Sequence, residues 1–171
     1  MAPAYRAPVP LARDHLLDEF ECRSPEQTRW LGRHARQSTS VGLTRVFVVT
    51  QRDQAAVVAY YAWTMAQIER EASPARLVRG AGRYPQPVAL LARLGVHLDH
   101  EGRGLGAALL RDVLLRLVAV GDEIGCRGLL IHAETDEARG FYKHLIPELE
   151  PSPTDGLHLL LLMKDVLRSL R

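Results

Sequence analysis

Residues 97–110, HLDHEGRGLGAALL, follow an apolar stretch, carry three glycines within five positions and then adopt a helical pattern. Where a strand is followed by such a turn and then a helix, several free backbone NH groups and the positive end of the helix dipole lie at one point. That arrangement is typical of a phosphate site. Glu101 lies in the same turn, where its carboxylate would oppose an anion. The segment therefore predicts an anion site whose ligand the rest of the chain must identify.

Several known glycine patterns compete to explain the turn, along with a purely structural tight turn. A P-loop is excluded because no Gly-Lys-Ser/Thr follows the glycines. Gly102, Gly104 and Ala107 match the dinucleotide pattern G-x-G-x-x-A, and Glu134 ends the next strand, where a ribose-binding acid would lie. However, a Rossmann unit opens a series of parallel βαβ units, whereas here a hairpin precedes the turn and only about 65 residues follow it.

The order of the predicted elements supplies further context. Ser24, Pro25 and Gln27 form a capping box that predicts a helix over 25–37. TRVFVVT and AAVVAYYAWTMA, separated by the polar QRDQ, predict a hairpin of two antiparallel strands, and 66–88 predicts an irregular segment with one short helix at most. The later elements are a strand at VALLARLGVHL, a helix over 104–120, a strand at RGLLIHA, a helix at TDEARGFYKHL capped by Thr135 or Asp136, a strand at GLHLLLLM, and a tail over 164–171 with no predicted element.

A third pattern covers nearly the whole chain. RLGVHLDHEGRGLGAALLRDVL, followed by GCRGLLIHAETDEARGFY, resembles the GCN5-related N-acetyltransferases (GNAT), whose pyrophosphate loop has the pattern Gln/Arg-x-x-Gly-x-Gly/Ala. Gly104 and Gly106 occupy its two small positions. The resemblance implies an α/β (α+β) fold in which a mixed, largely antiparallel sheet of about six strands is flanked by about four helices. We expect one domain over 1–171, with an extended N-terminal segment over 1–10.

The resemblance also implies acetyl-CoA as the acetyl donor. In this family the NH groups of the loop hold the pyrophosphate, and the preceding strand pairs with the pantetheine arm. Glu101 stands where the pattern expects Gln or Arg, but the contact there is chiefly through a backbone NH, which any residue except proline provides. We expect weaker binding than with Arg, unless the carboxylate points away or pairs with Arg103. The implied cofactor-binding residues are Leu94, Gly95, Val96, Glu101, Gly102, Arg103, Gly104, Leu105, Gly106 and Ala107.

Acetyl transfer needs a neutral amine, stabilisation of the charge that develops on the carbonyl oxygen, and a proton for the departing thiolate. The resemblance implies Tyr142 as the general acid, because a phenol with a pKa of about 10 carries its proton at neutral pH. The backbone NH near Val96 is the candidate for polarising the thioester. The base is His97, Glu134 or water. An α-amino group, with a pKa of about 7.7–8.0, needs no strong base, so the chemistry suits an aminoacyl ester better than a lysine side chain.

The N-terminal half resembles the acetyltransferase toxins of bacterial type II toxin–antitoxin systems. Their shared features are a Phe-x-Cys segment before a Trp-Leu helix, a Thr-Arg strand, a Gly-Tyr-Tyr strand and a Tyr-Pro-x-Pro loop. Here Arg23 replaces the usual glycine after the cysteine, and Ala59 replaces the glycine before the tyrosines. The matching residues are Phe20, Cys22, Trp30, Leu31, Thr44, Arg45, Tyr60, Tyr61, Tyr84, Pro85, Pro87 and Arg93.

Membership of that branch implies a toxin that acetylates the α-amino group of aminoacyl-tRNA and blocks translation. Such toxins are usually homodimers and are neutralised by a ribbon-helix-helix antitoxin, which provides the contact with DNA. Nearly all positive charge in this chain is arginine, which binds phosphate with a bidentate fork, although solvated arginine-rich faces explain the same composition. The candidates for a tRNA surface are Arg33, Arg36, Arg45, Arg79, Arg83 and Arg93.

Three alternatives stay open: an acetyltransferase of small amines or protein N-termini, a non-catalytic module that binds acetyl-CoA, and a DNA-regulatory partner that is active only as a repressor complex. The second is conceivable because LIPEL replaces the Gly-Phe that usually follows the last family helix. Two cysteines are too few and too far apart for a disulfide framework or a zinc site, so no metal is expected. The N-terminal residues lack the apolar core of a signal peptide and no run reaches membrane-spanning length, so we expect a cytoplasmic protein.

Overall fold

The computed structural model describes residues 4–171, so the first three positions of the predicted extended N-terminal segment lie outside the described residues. Within residues 4–171 there are seven strands and six α-helices. The strands are β1 (Val9–Pro10), β2 (Arg45–Thr50), β3 (Val57–Ile68), β4 (Gln86–Val96), β5 (Gly128–His132), β6 (Glu150–Pro151) and β7 (His158–Leu162). The helices are α1 (Pro25–Arg33), α2 (Ala35–Ser40), α3 (Ala75–Val78), α4 (Leu105–Glu123), α5 (Asp136–Leu145) and α6 (Met163–Ser169).

The strands pair in the order β1-β2-β3-β4-β5-β7-β6. The pairs β1–β2, β2–β3, β5–β7 and β6–β7 are antiparallel, whereas β4 and β5 are parallel. Parallel neighbours need a long crossover, and α4 provides it. The predicted mixed, largely antiparallel fold is therefore confirmed. The number of strands was underestimated because β1 and β6 are only two residues long, and the number of helices because the first predicted helix is divided and α6 was not predicted.

The chain forms two compact units. The first contains the residues up to Thr64 together with Ala92–Asp112, and the second contains Met65–Leu91 and Val113–Arg171. Strands β3 and β4 and helix α4 each begin in one unit and end in the other. The glycine turn belongs to the first unit, and Tyr142 belongs to the second.

The core of the first unit includes several residues of the toxin-like motifs. The ring of Tyr60 stacks on Trp30, with 6.1 Å between centroids, and meets Phe20 edge-on at 5.4 Å. Gly95 lies against the same rings: a Cβ built there would lie 3.2 Å from both Cys22 Sγ and Tyr60 Cε1. Position 95 therefore carries glycine because the core leaves no room for a side chain.

The helix predicted over 25–37 is present but is divided in two. The hydroxyl of Ser24 accepts a hydrogen bond from Gln27 N at 3.1 Å, which confirms the predicted cap. At His34 the backbone leaves the helical region, with φ −122°, and α2 then starts at Ala35. The prediction of one continuous helix was wrong because the break falls at His34, whereas the nearest glycine, Gly32, lies inside α1.

The C-terminal tail, for which no element was predicted, contains helix α6 of the second unit. Its Asp165 is buried, with a side chain only 1% exposed, and forms ion pairs with Arg168 on the same helix and with Arg76 on α3. Val166 beside it is fully buried. The helix is therefore held by contacts with residues distant in sequence, which local periodicity does not reveal.

Candidate functional site

The glycine turn has the backbone geometry of an anion site. Gly102 and Gly104 adopt positive φ values of 74° and 81°, a conformation that favours glycine. Helix α4 starts directly afterwards, and its first hydrogen bond runs from Ala108 N to the carbonyl of Gly104 at 3.0 Å. Among the described residues, the backbone NH groups of 104–107 have no acceptor. Four NH groups and the positive end of a 19-residue helix therefore meet at this turn.

The carboxylate of Glu101 is neutralised by a partner that the sequence did not indicate. Arg23 Nε lies 2.9 Å from Oε1 of Glu101, and Nη2 lies 3.1 Å from Oε2, which is a bidentate ion pair. The expected alternative of a pair with Arg103 is wrong. Arg103 instead donates to the hydroxyl of Tyr5 at 3.0 Å. Arg23 and Glu101 both depart from the pattern of their relatives, and here each balances the charge of the other.

The pair of Arg23 and Glu101 predicts opposite changes in acetyl-CoA affinity when either partner is replaced. Arg23→Gly leaves the carboxylate beside the turn without its counter-charge, so we expect affinity for acetyl-CoA to fall roughly 3- to 10-fold. Glu101→Gln removes the negative charge and should tighten binding by a few-fold, and the double variant should return to near the wild-type value. Isothermal titration with acetyl-CoA measures all three, with Arg13→Gly as an exposed arginine control in the same unit. Equal weakening by both single variants would show that the pair only maintains the shape of the turn.

Two backbone hydrogen bonds fix the chain between the end of β4 and the turn. His97 N donates to the carbonyl of Val58 at 2.8 Å, and Leu98 N donates to the carbonyl of Glu21 at 2.9 Å. Beyond the turn, Leu105 is buried and anchors the start of α4, whereas Ala107 is exposed. The remaining predicted positions follow the same path: Leu94 and Val96 are half-buried at the end of β4, and Gly106 lies in the first turn of α4.

His97 is not arranged as a base. Its Nδ1 accepts a hydrogen bond from Asp99 N at 3.0 Å, and its Nε2 lies 3.0 Å from the carbonyl oxygen of Glu19, to which it donates. Its ring also meets Phe20 edge-on at 5.9 Å. Because both ring nitrogens are used, no lone pair is left to accept a proton. His97 therefore fixes the segment that leads into the turn.

Tyr142 lies on α5 in the second unit, and its chemistry suits proton donation. The hydroxyl of Thr135 accepts from Ala138 N at 3.1 Å and caps the helix as predicted. The Tyr142 side chain is buried, and Phe141 packs edge-on against it at 5.3 Å. Burial, with a smaller contribution from the charge of Glu134, raises the pKa of Tyr142. Within residues 4–171 the Tyr142 hydroxyl has no hydrogen-bond partner, so a protonated donor is available to a bound group.

The arginines predicted for a tRNA surface divide into two groups. Arg93 forms an ion pair with Glu26 at 2.8 Å and lies over the ring of Trp30 at 5.5 Å, and Arg36 donates to two backbone carbonyls. Both are therefore engaged in holding the first unit together. The exposed remainder are Arg33 and Arg45 in the first unit and Arg79 and Arg83 in the second.

Two further properties of the described residues bear on the site. No cluster of three or more His, Cys, Asp or Glu side chains in 4–171 is arranged to hold a metal ion. Over the same residues, every helix is too short or too polar to cross a membrane.

Comparison with known proteins identifies the relatives. The chain is 42% identical over 161 residues, 94% of each chain, to the tRNA-acetylating toxin of Mycobacterium tuberculosis (strain ATCC 25618 / H37Rv). It matches the structure of AtaT complexed with acetyl-methionyl-tRNAfMet with a TM-score of 0.86 at 21% identity, over 96% of this chain and 99% of that one. A tyrosine-to-phenylalanine mutant of AtaT bound to the C-terminus of the antitoxin AtaR and acetyl-CoA matches with a TM-score of 0.78 at 21% identity, over 94% of each chain.

These relatives confirm the resemblance to the toxin branch and the fold that it implied. The model of the Acetyltransferase (GNAT) family matches residues 14–145, which contain the glycine turn and Tyr142. The chain belongs to the Acetyltransferase (GNAT) family.

Proposed function

We propose that this protein is an acetyl-CoA-dependent N-acetyltransferase that acetylates the α-amino group of aminoacyl-tRNA and thereby blocks translation. The observation that carries the proposal is the turn at the start of α4, where the NH groups of 104–107 have no acceptor within residues 4–171 and Arg23 neutralises Glu101. The 42% identity to a tRNA-acetylating toxin supports the choice of substrate.

The turn fits the pyrophosphate of acetyl-CoA. The NH groups of 104–107 converge where α4 begins, and positive φ values at Gly102 and Gly104 form the type of concave backbone that binds phosphate. The bidentate pair with Arg23 neutralises the carboxylate that lies in the turn and would oppose the anion. Acetyl-CoA supplies the thioester whose acetyl group is transferred.

Tyr142 is the proposed general acid. Its raised pKa keeps the phenol protonated across the physiological range, and its hydroxyl is not committed to another group in the described part of the chain. No strong base is needed for an α-amino group, because its pKa of about 7.7–8.0 leaves an appreciable fraction neutral. Both ring nitrogens of His97 are hydrogen-bonded, which agrees with a reaction that does not use His97 as a base.

The proposed contacts with tRNA are made by the exposed Arg33 and Arg45 of the first unit and, independently, by the exposed Arg79 and Arg83 of the second unit. We further propose a homodimer in the cytoplasm that is neutralised by a ribbon-helix-helix antitoxin, which contacts DNA in the complex. A mutant of AtaT, a protein of similar fold, has a solved structure in which it is bound to the C-terminus of the antitoxin AtaR.

Incubation with labelled acetyl-CoA tests the proposal directly. We expect label on bulk aminoacyl-tRNA and none on uncharged tRNA, polyamines or peptides. Charge reversal, with Arg79→Glu and Arg83→Glu, should raise KM for aminoacyl-tRNA at least tenfold and leave acetyl-CoA affinity unchanged. Label on polyamines or peptides alone would instead assign a small-amine or N-terminal acetyltransferase, and binding without any transfer would assign a non-catalytic module.

A further inference from the structure

The irregular segment between β3 and β4 presents one aromatic ring to solvent. Tyr84 is 81% exposed, more than any other large hydrophobic residue in the described part of the chain. By contrast, Tyr60, Tyr61 and Tyr142 are all buried. A ring with this exposure contributes nothing to a core, so its contact surface is open to a partner.

The backbone around Tyr84 is held in place although the ring is exposed. Arg70 Nη1 donates to the carbonyl of Gly82 at 2.6 Å, and the side-chain amide of Gln86 donates to the carbonyl of Tyr84 at 2.8 Å. Gln86 is itself buried, with 5% exposure. Pro85 restricts the backbone further. The segment therefore presents the ring from a fixed backbone, which lowers the entropic cost of a contact.

The segment that carries the ring has a positive charge. No aspartate or glutamate occurs between Glu71 and Asp99. Arg79 and Arg83 are exposed, and within residues 4–171 neither side chain forms an ion pair. An exposed ring in the same short segment as two exposed arginines, neither of which forms an ion pair within residues 4–171, has the composition of a surface that binds single-stranded nucleic acid.

We propose that Tyr84 is a stacking platform for an unpaired base of the RNA substrate, and that Arg79 and Arg83 bind the flanking phosphates. The identity of the RNA as aminoacyl-tRNA rests on the proposed function, whereas the stacking contact does not. Every base has a π-face, so the contact tolerates any sequence. Tyr84 acts by positioning the RNA and takes no part in the chemistry.

Steady-state kinetics with bulk bacterial tRNA charged with amino acids tests the stacking contact. Tyr84→Ala should raise KM for aminoacyl-tRNA about tenfold, with kcat and KM for acetyl-CoA unchanged. Tyr84→Phe and Tyr84→Trp should keep a KM within about twofold of wild type, because both retain a ring. Ile124→Ala is the matched control, since Ile124 is 60% exposed in the same unit and carries no ring.

A second measurement separates this inference from the proposed function. Fluorescence anisotropy with a short single-stranded RNA and with the same sequence as a duplex should show tighter binding of the single strand, lost in Tyr84→Ala and kept in Tyr84→Phe. If wild type transfers no acetyl group to tRNA, the proposed function fails and this binding result alone decides the inference. Wild-type RNA binding by Tyr84→Ala, or a loss in Tyr84→Phe as large as in Tyr84→Ala, would overturn it. So would a Tyr84→Ala variant that binds RNA normally and loses only a protein partner.

Discussion

Replacing Tyr142 with phenylalanine is expected to lower kcat for acetyl transfer by roughly 10²- to 10⁴-fold, the usual contribution of a general acid. The reason is specific to the hydroxyl, because Tyr142→Phe retains the buried ring and its edge-on contact with Phe141. The Tyr142 hydroxyl has no partner within residues 4–171, so its loss breaks no contact there. Affinity for acetyl-CoA and thermal stability should therefore stay close to wild type while single-turnover transfer slows.

The pH dependence of the wild-type rate provides an independent check on Tyr142. Because burial and the charge of Glu134 raise the pKa of Tyr142, we expect no fall in kcat/KM from deprotonation of the phenol up to about pH 10. The rate should instead rise through about pH 8 as the α-amine loses its proton. Tyr84→Phe removes a phenol hydroxyl from an exposed position and should retain wild-type kcat. If Tyr142→Phe slows transfer no more than Tyr84→Phe does, the acid lies elsewhere.

The second large effect is expected on stability, from the ion pairs of Asp165. Arg76→Ala combined with Arg168→Ala leaves the buried carboxylate without counter-charge and should cost roughly 3–5 kcal/mol of unfolding free energy. Asp165→Asn should cost less, about 1–2 kcal/mol, because the two arginine side chains are 38% and 58% exposed and can hydrate when the carboxylate is gone. Urea denaturation gives both values. A cost for Asp165→Asn as large as that of the double arginine variant would contradict this asymmetry.

The ion pairs of Asp165 also predict that the pH dependence of stability changes sign when both arginines are removed. Burial alone would raise the pKa of Asp165, but its contacts with Arg168 and Arg76 outweigh burial and lower it. A carboxylate whose pKa is lower in the folded protein stabilises the fold above its unfolded value of about 3.9 and loses that contribution as pH falls further. Without the two arginines, burial should raise this pKa, and the double variant should then lose stability as pH rises from about 4 to 7.

Features that depend on neighbouring residues were predictable from the sequence. The caps at Ser24 and Thr135 are short-range hydrogen bonds between a side chain and an NH three residues later. The β2–β3 hairpin and the glycine turn before α4 follow from alternation, turn residues and the glycine requirement at positive φ. The identity of the ligand came from the resemblance to a family, because the spacing of the glycines alone fits a dinucleotide-binding turn nearly as well as an acetyl-CoA-binding turn.

Features that depend on distant residues were not predictable. Arg23 and Glu101 are 78 positions apart, and only the fold brings the two side chains together. The same applies to α6, whose Asp165 is paired with Arg76 from α3. Arg93 matched the toxin-like pattern, but charge alone could not show that its guanidinium is engaged by Glu26.

The chemical identity of the reaction product tests the central claim most directly. Charged tRNA is incubated with the protein and acetyl-CoA, digested with a nuclease that releases the 3′-terminal aminoacyl nucleoside, and analysed by mass spectrometry. The proposed reaction predicts an aminoacyl-adenosine that carries one acetyl group on its α-nitrogen, formed by wild type and nearly absent with Tyr142→Phe. An unmodified aminoacyl-adenosine after complete incubation with active wild-type protein, or an acetyl group on the base or ribose, would contradict it.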